Sequence, residues 1–160
     1  MARQCTKPAA TCEYLSGIFF DVLKAIVAIF AVLLTFASCS RQKTVDREKL
    51  RSELLTSISF SSEAELFLER VMQGRVAAKF ADGHVEYLSR EIEREAKELQ
   101  EGIPSHDIER QFNECKRQTE SLAHEVASSK SMLMDKAALA EVEKRIVKIR
   151  ETLQSTKSSL

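Results

Sequence analysis

Eight residues of the C-terminal half, Ile108, Phe112, Cys115, Thr119, Leu122, Val126, Ser129 and Leu133, follow one another in strict steps of four and three. That spacing lines one side of an α-helix and obliges it to bury against another helix. A second row, Leu139, Val142, Ile146, Ile149 and Leu153, has the same rhythm but is out of phase with the first. The slip falls at Ser128–Ala137. It means either a turn, with Asp135 capping a fourth helix, or one long helix with a discontinuity. Ser128-Ser129-Lys130-Ser131 just before it favours the turn.

The upstream half has the same character. From Asp46 to Met72, Leu50, Leu54, Ile58, Phe67 and Val71 keep mostly to helical steps. Ser59–Ser62 is the weak stretch. Ser62 with Glu65 matches a capping box, so a kink near Ser61 is expected. Gly74, in Gln73-Gly74-Arg75, suits a left-handed helix end. A second helix is expected over Ala77 to Gln100, with Val76, Phe80, Tyr87, Leu88, Ile92, Ala96 and Leu99 on its apolar face. Gly83 interrupts it and offers a close approach to a neighbour. Glu101-Gly102-Ile103-Pro104-Ser105 is the clearest break, because Pro104 cannot continue a helix and Ser105 can cap the next. The chain has no Trp, 4 Gly and 2 Pro, which favours helix over sheet.

The fold expected is therefore all-α: an antiparallel helical bundle, or coiled-coil hairpins, of three to four helices. They span about 46–72, 77–100, 105–130 and 135–156, within a domain at 46–157. The domain follows an N-terminal signal or membrane segment, and its heptad faces leave room for a homo-oligomer or a protein partner. Val45–Leu160 carries nineteen Lys/Arg against twenty-two Asp/Glu with signs interspersed. A nucleic-acid binder needs a basic stripe, and none is present.

The N-terminal segment concerns targeting. Lys24 precedes an unbroken apolar run, Ala25 to Ser38, which ends at Cys39. A positive start, a hydrophobic middle and small residues at the end form the layout of a secretory signal. Phe36-Ala37-Ser38-Cys39 resembles the lipobox of bacterial lipoproteins, although such sites more usually have leucine where Phe36 stands. The resemblance covers only about Leu23–Ser40. It implies a signal peptide over 1–38, cleavage at Phe36, Ala37 and Ser38, lipidation of Cys39, and a tether over 39–45. Met1–Gly17 is long for the start of a signal and contains Glu13, so a true start near residue 22 or 23 is the alternative. Ser40 is not the aspartate associated with inner-membrane retention in enterobacterial lipoproteins. By the same resemblance the outer membrane, periplasmic face, is favoured over the inner membrane.

The competing reading is a retained single-pass anchor in the inner membrane. Ile18–Ser38 is long enough to span, and Arg41, Lys43, Arg47, Lys49 and Arg51 would then hold a coiled-coil adaptor domain in the cytoplasm. The uninterrupted part, Ala25–Ser38, suits a signal better than a span.

Chemistry is sparse. His84, His106 and His124 have no Glu three residues before them and no HExxH, so di-iron and zinc-protease patterns are absent. Cys5, Cys12, Cys39 and Cys115 show no CxxC spacing, and no metal or cofactor is expected. Cys115, on the heptad row, reads as a small buried hydrophobe, and His124 lies on roughly the opposite helix face. No catalytic residue is assigned. The most unusual local stretch surrounds His84. Asp82, His84 and Tyr87 are candidate contacts of a ligand or partner, the alternative being a histidine bonded across the hairpin. The functional expectation is a lipid-anchored cell-envelope protein whose helical domain binds or scaffolds. A helical sensor or ligand-binding module is a further alternative.

Overall fold

A computed structural model describes residues 43–160. The calls on Cys39, Phe36, Ala37 and Ser38 lie outside the described residues. Helix α1 (Arg47–Met72) starts at Asp46, whose carboxylate accepts from the Lys49 amide at 2.8 Å. It ends in a Schellman arrangement: the Arg75 amide donates to the Arg70 carbonyl at 3.0 Å and the Gly74 amide to Val71 at 2.9 Å, with Gly74 at φ 70. Helix α2 (Ala78–Gln100) runs back. Helix α3 (Glu109–Ser129) follows a 3-10 turn at His106–Ile108, and α4 (Lys136–Ser158) follows another at Lys130–Met132. Asp135 caps α4, accepting from the Ala137 and Ala138 amides at 3.0 and 3.1 Å. The phase slip is thus a turn, and the described residues form four helices.

The helices go up, down, up and down. α1 packs chiefly on α4, α2 on α3, and α3 on α4, while α1 and α2 share much less surface. The start of α1 meets the end of α4, where the Arg47 guanidinium donates to the Leu160 carbonyl at 3.0 Å. Every member of the two heptad rows except Leu133 is buried, and Leu133 packs on the core from its edge. On α1 the buried row is Leu50, Leu54, Ser57, Ser61, Ala64 and Leu68.

Five details differ from the sequence reading. α1 passes Ser61 unbroken, because the Ser61 and Ser62 hydroxyls both donate to the Ile58 carbonyl and Ser57 finds Thr119 across the core. Part of the expected tether is a strand. β1 (Lys43–Val45) pairs in parallel with β2 (Gly102–Pro104), Thr44 opposite Ile103, and the Ser105 amide donates to the Val45 carbonyl. Ser105 makes no side-chain cap bond, because a 3-10 turn precedes α3. The glycine that permits close approach is Gly102, not Gly83. A Cβ on Gly102 would sit 2.9 Å from Val45 Cγ2, whereas one on Gly83 would meet nothing within 4 Å. Finally, Phe80 and Tyr87 are not on the buried face of α2: they are 62% and 52% exposed, and the row that is buried runs through Ala81, Val85, Leu88, Ile92, Ala96 and Leu99.

Candidate functional site

The residues with chemistry gather along the seam between α1 and α2. They form two groups.

The first surrounds His84, near the hairpin that joins the two helices. Its ring lies 4.4 Å from Phe67 of α1 and stacks on Phe80 at 5.6 Å and 11°. Tyr87 stands 6.3 Å away. The imidazole Nε2 is 3.4 Å from a Glu63 carboxylate oxygen of α1, a pair that is ionic only when the ring is protonated. Phe80, His84 and Tyr87 recur at helical spacing, which puts all three on one side of α2. Asp82 does not join them. Two residues along a helix do not face each other, and Asp82 turns to the α3 side, where Lys130 approaches it at 3.7 Å and Glu86 at 3.1 Å. The trio expected from the sequence therefore divides. His84 and Tyr87 share an aromatic strip with Phe80, and Asp82 belongs to an ion pair on another face.

The second group was not legible in the sequence. Glu53 of α1, paired with Lys49 one turn earlier, meets Glu95 of α2. Beneath them lies a buried polar layer. Cys115 is fully buried, the Thr119 hydroxyl donates to the Cys115 carbonyl at 2.9 Å, and Ser57 lies 2.8 Å from Thr119. A hydroxyl has one proton, so Ser57 is the donor to Thr119. Burial pushes the Glu95 carboxyl up to about 8, and the neighbouring Glu53 adds to this, as does the charge of Glu98, while Lys49 opposes it. One Glu95 oxygen is buried and lacks a partner. A proton held by Glu95 and donated to Glu53 resolves that deficit, because two carboxylates cannot share a site unless one is neutral.

The same surroundings hold Cys115 as a thiol. Burial pushes it up to about 12, the charges of Glu53 and Glu95 also raise it, and the Thr119 and Ser57 hydroxyls work the other way. A nucleophilic cysteine needs the opposite setting. His106 and His124 are exposed. Among the described residues no cluster of His, Cys, Asp or Glu has the makings of a metal site. A cleft of about 640 Å³ lies elsewhere, between the start of α3 and the end of α4. Arg110 and Lys148 in its wall are matched by Glu114 and Glu151, so it has no dominant charge.

The signals that would have separated these groups differ. Helical spacing alone places Asp82 away from His84. No local pattern pairs Glu53 with Glu95, whose meeting depends on how two helices are docked. Comparisons with protein-family models, curated proteins and solved structures find no match to this chain.

Proposed function

We propose that this is a lipid-anchored bacterial cell-envelope protein whose helical domain acts by binding or scaffolding, without catalysis. The observation that carries the reading is the order of residues from Lys24 to Cys39: one cation, an apolar run, small residues, then cysteine. Acylation of Cys39 would leave only Ser40-Arg41-Gln42 between the lipid and the first strand of the bundle. No helix among the described residues is long and apolar enough to cross a membrane. The absence of a basic stripe speaks for a protein partner or a second copy over a nucleic acid.

The deciding experiment is the intact mass of the protein extracted from membranes, with palmitate labelling of Cys39→Ala alongside. Expected is a chain beginning at Cys39, heavier by its acyl groups, whose label disappears in the variant. A full-length chain without lipid would replace this reading with the retained anchor and a cytoplasmic domain.

A further inference from the structure

We infer that the outward face of α1 is a self-association surface, on which two copies of the chain pair antiparallel about a two-fold axis between Ser59 and Ser62. This rests on the binding role proposed above and names its partner.

α1 buries Leu50, Leu54, Ser57, Ser61, Ala64, Phe67 and Leu68 in the bundle. On its other side a second row is exposed: Glu48, Ser52, Leu55, Ser59, Ser62, Leu66, Glu69 and, at the cap, Gln73. These follow one another in alternating steps of four and three, the spacing of a heptad seam. The chain is 30% charged, yet the stretch Leu54–Ser62 carries no charge. Leu55 and Leu66 are 48% and 49% exposed. Single exposed leucines are ordinary on a protein surface. Their order within the row is what points to a partner.

From its midpoint the row reads alike in both directions: serine, leucine, then two polar residues. A two-fold contact sets the same patch of two copies against itself, each residue meeting one equally far from the axis. Ser59 then faces Ser62 of the second copy, Leu55 faces Leu66, Ser52 faces Glu69, and Glu48 faces Gln73. Leucine meets leucine in the apolar layers, and the small serines between them let the two helices approach closely. In the outer layers a hydroxyl and an amide can each donate to a carboxylate, so no like charges stand face to face. A parallel pairing would instead set Glu48 on Glu48 and Glu69 on Glu69.

The flanking charges fit the antiparallel register too. Arg51 is exposed and forms no ion pair among the described residues. One position before Ser52, it comes beside Glu69 of the second copy. Within its own chain Glu69 accepts from the Gln73 amide at 2.8 Å and meets the like charge of Glu143 on α4. A cation arriving from a second copy is favoured there.

The test is the mass of the full chain in detergent, read by light scattering with the detergent subtracted, across a range of protein concentrations. Expected is a rise from one copy toward two. Leu66→Asp puts one unpaired charge into the contact from each copy, and should raise the Kd on the order of a hundredfold, about tenfold for each. Arg51→Glu should weaken pairing by less, and Arg51→Glu combined with Glu69→Arg should recover most of the loss. Circular dichroism checks that each variant keeps its helices; if Leu66→Asp loses them, Leu55→Ser serves. A single copy at every concentration, a dimer indifferent to the folded leucine variant, or a double variant no better than Arg51→Glu would overturn the inference. Intact mass reads acylation of Cys39 separately, so the lipid anchor and the pairing can each fail alone.

Discussion

The α1–α4 seam and the α1–α2 seam share a helix and differ in almost everything else. α1 shares most of its contact with α4, and its Leu50, Leu54, Ala64 and Leu68 lie in one core with Leu139, Val142, Ile146 and Leu153, all buried, with Arg150–Glu65 closing the edge. Toward α2 it presents Lys49, Glu53, Glu63 and Phe67, which meet carboxylates and aromatic rings, and Phe80 and Tyr87 remain 62% and 52% exposed. The contrast teaches that a short hairpin does not make its two helices the best-packed pair. The chain closes its bundle mainly through its first and last helices, and leaves the sequential neighbours α1 and α2 with a polar, protonatable edge.

The largest effect should come from the apolar side. Ile146→Ala removes a fully buried side chain from the α4 row and should cost about 2–5 kcal/mol, read from denaturant unfolding. Phe80→Ala loses more atoms from a ring that solvent already reaches, and should cost well under half as much. Comparable losses would mean that the α1–α2 edge carries stability equal to that of the core, and the contrast between the seams would fall.

Next in size is the strand pair that ties the start of α1 to the end of α2. Gly102→Ala would force a Cβ to 2.9 Å from Val45 Cγ2 and 3.1 Å from Phe112 Cζ. Overpacking of that kind costs about 1–3 kcal/mol. Faster exchange of the Ser105 amide, which donates to the Val45 carbonyl, would show that the loss arises there.

A smaller effect distinguishes the two seams by pH. Arg150→Ala should cost about 1 kcal/mol, the upper range for a partly exposed pair, and the same amount at pH 5.5 and 8.5. Glu95 should instead make stability fall with rising pH. Its folded carboxyl, near 8, holds a proton that the unfolded chain releases near 4.5, so its contribution is complete below about 4.5 and lost as the pH climbs to about 8. Glu95→Gln should flatten that slope, measured as the urea midpoint against pH. An unchanged slope would remove Glu95 as its source.

Much of this architecture was legible in the residues, for a physical reason. The rows on α3 and α4 are regular because those faces are buried along their whole length, so every third or fourth position had to be apolar or small. Gly74 and Asp135 were readable because a left-handed helix end and a helix cap each admit few residue types. The α2 face departs from the expected row at Phe80 and Tyr87 because the size of a ring does not show which side of the helix it occupies; Ala81, one position after Phe80, is the buried residue. The strand pair escaped notice because three residues are too few to show a period. Around the last turn, Met132 and Leu133 pack on the core while Met134 is 89% exposed, because a turn has no single face for a periodic row to mark. The Glu53–Glu95 contact was hidden for the most general reason: each glutamate alone reads as part of a solvated helix, and only the docking of α1 on α2 turns the pair into a group that shares a proton.

The smallest expected effect concerns Gly83, on α2 beside His84. The residue is exposed and helical, and a Cβ there meets nothing within 4 Å. Glycine in a helix is less stable than alanine by about 0.5–1 kcal/mol, chiefly because it gives up more freedom on folding. Gly83→Ala should therefore stabilise the bundle by about that amount and raise the thermal midpoint by a few degrees. The same substitution sharpens the comparison between the seams. Because a Cβ at this position meets nothing within 4 Å, the gain belongs to α2 itself and leaves the contacts of both seams as they are.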